Sequence, residues 1–216
     1  MPKDDRRTQN RRGEGRQLRE EIVRAAARLI AENGGRDALT LRAVARAAGI
    51  TAPSIYAHFA DLDEVMKAVV EATFQALVTH LRRSVTDIED PVARLRAACL
   101  GYVTFGLEQP NQYQVLFSAY PYRSATKTDT TVDTMRGADA FAFLLDGIRD
   151  CVAAGRSRST EPALDATALW LALHGYVSMR ANLRNFPWPP DGVLINALVD
   201  RLAQIDAANA EPPFRD

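Results

Sequence analysis

The stretch Thr40-Leu-Arg-Ala-Val-Ala-Arg-Ala-Ala-Gly-Ile-Thr-Ala-Pro-Ser-Ile-Tyr-Ala-His-Phe59 decides the fold of this chain. Its first half carries apolar residues at the spacing of a helix with one buried face, namely Leu41, Val44, Ala45 and Ala48. Gly49 ends this helix, because glycine enters the left-handed conformation without a Cβ penalty. Thr51 is a good N-cap for a second helix, and Pro53 is tolerated in a first turn. Two helices joined by a short glycine-containing turn are typical of the helix-turn-helix motif.

The second helix of this pair has an exposed face that suits DNA. Ile55 and Phe59 lie four residues apart and provide its buried side. The exposed side carries hydrogen-bonding groups and no carboxylate, which favours contacts with phosphates and base edges in the major groove. The alternative is a surface helix pair in an ordinary bundle. We expect DNA contacts from this motif at Thr40, Arg42, Thr51, Ala52, Pro53, Ser54, Tyr56 and His58.

The segment from about Gln17 to Phe74 resembles the DNA-binding domain of the TetR/AcrR family of transcriptional regulators. The matching features are the helix from Leu18 to Glu32, the Gly34-Gly35 break, Thr40-Leu41, Ala45, Gly49-Ile50-Thr51 and Ser54-Ile55-Tyr56-Ala57-His58-Phe59. One position departs from the pattern. The family commonly carries a phosphate-binding lysine near the start of the next helix, where this chain has Leu62, so the resemblance does not carry that contact over.

Charge is distributed unevenly along the 216 residues, although the formal net charge is zero. Residues 1–60 contain 12 Lys and Arg against 7 Asp and Glu, whereas the rest of the chain contains 15 against 20. The first 60 residues are called the head and the rest of the chain the body. A basic head followed by an acidic body is typical of a DNA-binding protein with a separate regulatory domain, although chance segregation of charge could produce it. The apolar share of 47% is enough for a real core.

Residues 1–16 are polar and basic, and we expect them to be a disordered arm. Arg11, Arg12 and Arg16 could lie along DNA phosphates or reach into the minor groove, as some helix-turn-helix arms do. The alternative is a tail that only improves solubility.

The remaining chemistry argues against a catalyst. Cys99 and Cys151 lie in apolar helical contexts and are interpreted as small core residues in a reduced cytosol. The three histidines have no metal-ligand spacing, and the chain has no glycine-rich phosphate loop or nucleophile elbow. We therefore expect a cytoplasmic protein that is not an enzyme and has no cofactor or metal. The N-terminus has no secretory pattern, and the longest apolar run, Ala166 to Leu173, is far below the ~20 residues of a membrane span.

Periodicity and breakers predict an all-α chain of about nine helices. The predicted helices are Gln17 to Asn33, the pair within 40–59, Asp61 to Leu81, Pro91 to Gln109, a short one capped by Asn111, Val132 to Ala154, Pro162 to about Asn185, and Asp191 to about Ile205. Ala119 to Thr131 is predicted to be a loop. Asp61 and Glu64 form a capping-box pattern. The helix that starts there is too long for the head alone, so we expect it to bridge head and body.

These elements predict a three-helix DNA-binding domain with a helix-turn-helix at 40–59, followed by a helical regulatory and dimerisation domain. The domain boundaries are expected at 17–76 and 77–207, with a loose tail at 208–216.

The body carries a second resemblance, to one type of C-terminal domain in the same family. Trp170-x-x-x-His174-Gly175 resembles its Trp-His-Gly signature, and Asn111-Gln-Tyr113 with Leu116-Phe117 resembles a further block. Aromatic residues on several helices suit a pocket for a small apolar or aromatic ligand, and they equally suit an ordinary core. The candidate pocket residues are Tyr102, Phe105, Phe117, Phe141, Leu145, Trp170 and His174.

The last two helices carry repeated apolar positions, and in the family this helix pair forms the dimer. The candidate dimer residues are Leu169, Leu173, Val177, Leu194, Leu198, Leu202 and Ile205. The resemblance implies a homodimeric repressor that a small molecule releases from a pseudo-palindromic operator. The alternatives are a regulator whose body only dimerises and, more remotely, an enzyme that uses a cavity in the body.

Overall fold

The computed structural model describes residues 14–33, 39–117, 137–183 and 185–206. In these ranges the chain is helical, with one isolated β-bridge between Ser157 and Ile205, which confirms the all-α prediction. The helices are α1 (Glu14–Asn33), α2 (Leu41–Ala47), α3 (Ala52–Ile55), α4 (Leu62–Ser84), α5 (Pro91–Glu108), α6 (Pro110–Phe117), α7 (Ala138–Ala153), α8 (Pro162–Asn182) and α9 (Asp191–Leu202). Of the described helices, none combines the length and the apolar character needed to cross a bilayer.

The chain divides into two compact units. The first comprises Met1–Ala72 and Gln114–Ser124, and the second comprises Thr73–Tyr113 and Ala125–Asp216. The division falls within α4, so this continuous helix contributes residues to both units.

The first unit has a core built from one face of each of its helices. Thr40 and Gly49 set the direction of the chain before and after α2. The Thr40 hydroxyl accepts a hydrogen bond from the Ala43 amide at 3.1 Å and caps α2. Gly49 then adopts a φ of 70°, which only glycine reaches without strain. The buried residues of this core include Ile22, Ala26, Ile30, Val44, Ala45, Ile55, Phe59, Val65 and Val69.

The start of α4 confirms the predicted capping box. The Glu64 amide donates to the Asp61 carboxylate at 2.8 Å, and the Glu64 carboxylate accepts from the Ala60 amide at 2.7 Å. The first bond satisfies a backbone donor that a helix start leaves without an intrahelical partner, and the return bond falls on the amide one residue before the Asp61 cap. The helix then runs for 23 residues to Ser84.

The second unit is organised around α5, which is buried along much of its circumference. Its glycines allow other helices to approach closely. A Cβ at Gly106 would lie 2.5 Å from a Val177 methyl group of α8, and one at Gly101 would lie 2.5 Å from the Ser84 hydroxyl of α4. A side chain at either position would force the neighbouring side chain to shift.

Several helix boundaries differ from the sequence prediction. α6 begins at Pro110, so Asn111 is a helical residue and not its cap. α1 begins at Glu14 rather than Gln17, so Arg16 lies in a helix and not in the arm. α7 begins at Ala138, because Gly137 before it has a φ of 83° and interrupts regular helix; the predicted start at Val132 and the predicted loop lie outside the described residues. α8 ends at Asn182, three residues before the predicted end.

The start of α9 also corrects the prediction. Asp191 is the first helical residue and not its cap. Its carboxylate instead accepts hydrogen bonds from the Tyr176 hydroxyl and from Arg180, the latter at 3.2 Å. Trp188 packs edge-on against Tyr176 and donates its indole N–H to the Leu183 carbonyl at 3.0 Å. The α8–α9 turn is therefore pinned by side chains as well as by its prolines.

Candidate nucleic-acid interface and C-terminal site

The segment after Gly49 forms a shorter helix than its sequence pattern indicates. α3 spans only Ala52–Ile55 and continues as a turn, in which the amides of His58 and Phe59 donate to the Ile55 carbonyl at 2.8 and 2.9 Å. Ile55 and Phe59 are buried as predicted, whereas 62% of the Tyr56 side chain is exposed. Ile55 and Phe59 thus pack into the core, and the Tyr56 phenol is exposed to solvent.

Thr51 occupies the cap position of α3, but its side chain does not cap the helix. Its hydroxyl lies 2.8 Å from the hydroxyl of Ser54 instead. The two hydroxyls form one hydrogen-bonded pair, in which the accepting hydroxyl keeps its own hydrogen to donate to a further acceptor.

The other predicted DNA-contact residues lie on or near the surface of the first unit. Thr40, Arg42 and Pro53 are exposed, and Ala52 and His58 are half-buried. Arg16 is exposed in the first turn of α1, whereas Arg11 and Arg12 lie outside the described residues.

The first turns of α1 lie beside residues 51–59, here called the recognition segment. The sequence pattern did not reveal this proximity. A Cβ on Gly15 would lie 3.9 Å from the His58 ring. The Arg19 guanidinium stacks over the Phe59 ring, 4.6 Å from its centroid. Arg16 therefore lies one residue from a contact with the recognition segment, and the contact of Arg19 with Phe59 is one that no local motif could have identified.

The start of α4 offers little to an anion. The Ala60 and Glu64 amides already donate to carboxylates, and Asp61, Asp63 and Glu64 place acidic groups around the first turn. Leu62 lies among them without a charge. Among the described residues 60–64, no basic side chain stands where the resemblance would place a phosphate-binding lysine.

The second unit contains a polar chain of two buried tyrosines and one half-buried histidine. The hydroxyls of Tyr102 on α5 and Tyr113 on α6 lie 2.8 Å apart, and the Tyr113 hydroxyl lies 2.8 Å from Nδ1 of His174 on α8. Trp170, one turn before His174, stacks on its ring with centroids 6.0 Å apart. Burial raises the pKa of Tyr102 to about 12, raises that of Tyr113 further, and lowers that of His174. These groups are therefore neutral near pH 7.

The predicted ligand-pocket residues are only partly brought together. Tyr102, Trp170 and His174 belong to the polar chain just described, with Tyr113 as its centre. Phe105 and Phe141 are buried in the same unit, and Phe105 packs against His80. Leu145 is half-buried, and Phe117 falls in the first unit. Sequence spacing placed Trp170 and His174 on one helix face, but it did not indicate that Tyr113 joins them.

The predicted dimer residues require a correction. Leu169, Leu173 and Val177 of α8 and Ile205 are buried within the protomer, so they cannot face a partner. Leu194, Leu198 and Leu202 of α9 are half-buried. A different face of α8 is exposed, and its large apolar residues are Leu164, Leu171 and Met179, followed by Val193 at the start of α9.

The two cysteines have the predicted core role. Cys99 and Cys151 are both buried and unpaired, and burial raises the pKa of both thiols, to about 11 for Cys151. A buried thiol that stays protonated is a poor nucleophile. Within the described ranges, no three His, Cys, Asp or Glu residues come together as a metal site would require.

Two family models match the chain. The model for bacterial regulatory proteins of the TetR family matches residues 22–69, and the model for the tetracyclin repressor-like C-terminal domain matches residues 95–203. The first match contains the complete helix-turn-helix. The second covers half of the chain and contains the polar chain of the second unit.

Known proteins with similar sequences or structures agree with these matches. The nucleoid occlusion factors SlmA of Escherichia coli and Klebsiella pneumoniae are 27% identical over 101 residues, which is 47% of this chain. The chain spans about half the length of these curated relatives, 51%.

Two solved structures share the fold over most of the chain. A protein of unknown function from Rhodococcus sp. RHA1 superposes with a TM-score of 0.72 at 23% identity, covering 87% of this chain and 94% of its own. A TetR family transcription regulator from Marinobacter aquaeolei VT8 superposes with a TM-score of 0.64 at 18% identity, covering 90% and 97%. Since the family models together include both the recognition segment and the C-terminal domain, the chain belongs to the TetR family of DNA-binding transcriptional regulators.

Proposed function

We propose that this protein is a homodimeric repressor that binds a pseudo-palindromic operator and leaves it when a small molecule occupies its C-terminal domain. The observation that carries the proposal is the recognition segment. It presents an exposed phenol and a pair of hydroxyls on a turn fixed by two buried apolar residues. Such groups suit phosphates and base edges, and the repressor-like C-terminal match supports repression as the sign of control.

The basic arm is proposed to add sequence-independent affinity. Arg11 and Arg12 precede the described part of α1, whose first turn lies beside His58. Cations at this point would meet DNA phosphates wherever the recognition segment docks, and each phosphate contact makes binding more dependent on salt.

A dimer is proposed because one recognition segment contacts too few bases for a specific site. The exposed face of α8 supports this partner. Leu164 and Leu171 are seven residues apart and share a face of the helix, with Met179 a further two turns along. Gly175 lies between Leu171 and Met179, and a Cβ there would meet nothing within 4 Å. A second copy of α8 can therefore approach this bare backbone closely, as two-fold symmetry would require.

The operator part of the proposal is tested by selecting bound sequences from a random DNA library. We expect enrichment of an inverted repeat whose half-sites are about 34–36 Å apart, centre to centre, because a two-fold dimer presents its recognition segments symmetrically. Enrichment of a single unrepeated half-site, or no sequence preference at all, would contradict the proposal.

Release by a ligand is proposed to act through α4. This helix is continuous across the division between the two units, so a displacement of its second half can reorient its first half. A ligand shifts such an equilibrium only by its differential affinity for the two states. A tenfold loss of operator affinity requires a tenfold loss of ligand affinity in the DNA complex, which is about 1.4 kcal/mol.

One observation favours a second candidate, a regulator whose C-terminal domain only dimerises. Tyr102, Tyr113 and His174 hydrogen-bond to one another, so the core where a pocket was predicted is occupied by its own contacts. The operator dissociation constant, measured with and without compounds that raise the melting temperature, separates the two candidates. Compounds that bind tightly and leave this constant unchanged would favour the ligand-independent regulator.

A further inference from the structure

The second unit contains an open groove, with a volume of about 360 Å³, away from the polar chain of its core. This volume is within the usual range of small-molecule sites, ~300–1,000 Å³. Three parts of the chain form it, namely the end of α4, the first half of α5 and one face of α7. Its lining residues are Arg82, Val85, Arg94, Leu95, Ala98, Asp139, Ala142, Phe143, Asp146, Gly147 and Asp150.

The floor of the groove is apolar. Leu95 and Ala98 of α5 are nearly fully buried and lie at its base, with Ala142 and Phe143 of α7 beside them. Gly147 brings the two helices together, since a Cβ there would lie 3.0 Å from a Leu95 methyl group. The base therefore offers hydrocarbon contacts to the body of a bound molecule.

The rim of the groove is charged, and most of these charges are neutralised within the protein. Arg94 pairs with Asp150 across the groove at 2.7 Å, and Asp146 pairs with Arg149 on its own helix at 3.1 Å. Both pairs keep their charges balanced without a ligand.

Two rim residues are left with opposite and uncompensated charges. Arg82 in the last turn of α4 and Asp139 in the first turn of α7 are both exposed. Neither has an ion-pair partner in the part of the chain that the structure describes. They belong to different helices, so they offer a cation on one wall and an anion on the other.

We propose that this groove binds a small zwitterion with an apolar body, such as a free apolar amino acid. Arg82 receives its carboxylate, Asp139 receives its ammonium group, and the side chain packs on the floor formed by Leu95, Ala98, Ala142 and Phe143. A purely anionic or cationic molecule satisfies only one of the two charges. The site is distinct from the aromatic core, and the inference stands whether or not the bound molecule releases DNA.

The proposal is tested by isothermal titration of the full chain with three probes of one shape. L-phenylalanine carries both charges, 2-phenylethylamine keeps only the cation, and 3-phenylpropanoate keeps only the anion. An exposed ion pair contributes up to about fivefold in affinity, or ~1 kcal/mol. We therefore expect L-phenylalanine to bind about fivefold more tightly than either analogue.

Two substitutions test which residue binds the carboxylate of the ligand and which binds its ammonium group. Arg82→Gln should make L-phenylalanine and 2-phenylethylamine bind equally, because the carboxylate then finds no cation. Asp139→Asn should make L-phenylalanine and 3-phenylpropanoate bind equally, for the converse reason. Arg83→Gln is the matched control: Arg83 is the exposed neighbour of Arg82 on α4 and does not line the groove, so the preference should persist.

The result can overturn the proposal in several ways. Absence of L-phenylalanine binding, or equal binding of all three probes, would contradict the proposal that the groove binds a zwitterion. A preference that survives both Arg82→Gln and Asp139→Asn would place the site elsewhere. Because both residues are exposed, the variants should keep the helical circular dichroism of the wild type, so a change in binding reports on the groove.

Discussion

Replacement of Tyr56 with alanine should lower operator affinity by about 10²–10⁴-fold while leaving the fold and the oligomeric state unchanged. Tyr56 follows the fully buried Ile55, yet 62% of its side chain is exposed, so its loss removes little from the core. A hydrogen bond to a charged group contributes ~1.5–3 kcal/mol. A dimer loses two such bonds to phosphates, and the sum of ~3–6 kcal/mol gives the expected range.

The measurement is a titration of labelled operator, followed by fluorescence anisotropy at one fixed salt concentration, because phosphate contacts make affinity depend on salt. Tyr56→Phe isolates the hydroxyl from the ring. Ser54→Ala should cost less than Tyr56→Ala, since the Ser54 hydroxyl already shares a hydrogen bond with Thr51 and a neutral bond is worth only ~0.5–1.5 kcal/mol. Wild-type affinity for Tyr56→Ala would show that the recognition surface lies elsewhere.

Much of the fold could be predicted because helix ends have local chemistry. Thr40 caps α2, Gly49 reverses the chain, and Asp61 with Glu64 closes the start of α4, and each of these roles depends on residues no more than four positions apart. Such contacts are encoded in short sequence patterns, so the sequence predicted the helix end at Gly49 and the capping box correctly, whereas the Thr40 cap was not predicted.

The candidate sites were harder to predict because their contacts join residues distant in sequence. Arg19 stacks on Phe59, and Tyr113 connects Tyr102 with His174. Helical spacing identifies which residues share a face of one helix, and it carries no information about which helix faces which. The polar chain therefore emerged only when α5, α6 and α8 were placed together.

The burial of several candidate dimer residues was not predicted, for a related reason. α8 carries apolar residues on several faces, so its pattern does not single out the side that the protomer buries. Leu169 and Leu173 belong to the core, whereas Leu164 and Leu171 are the exposed pair. Both pairs have helical spacing, and only the packing of α5 against α8, where Gly106 contacts Val177, decides between them.

Replacement of Leu171 with arginine should therefore convert the proposed dimer to monomers, with at least about a 100-fold rise in the dimer dissociation constant. Full burial of a leucine yields ~1.5–3 kcal/mol, and 56% of Leu171 is still exposed in the protomer. Each copy thus contributes ~1–1.5 kcal/mol to the interface. Two-fold symmetry doubles this loss to ~2–3 kcal/mol, and the desolvation of two arginines adds to it.

Sedimentation velocity over a range of protein concentrations measures this change, and far-ultraviolet circular dichroism checks that the helices persist. Leu100→Arg is the matched control: Leu100 is an exposed leucine on α5, with 40% of its side chain accessible, and it lies outside the proposed interface. The control should remain dimeric. An intact Leu171→Arg dimer would move the interface to another surface, with the half-buried Leu198 of α9 as the next position to substitute.

The same variant links assembly to DNA binding. A monomer presents one recognition segment, so Leu171→Arg should bind a half-site about as well as the wild-type protomer does and lose the advantage of the paired site. That advantage arises because the second binding event within a dimer is intramolecular. Leu171→Arg could be monomeric and still bind the inverted repeat with wild-type affinity. The two half-sites would then bind protein independently, and this result would contradict the proposal that dimerisation through α8 produces the preference for an inverted repeat.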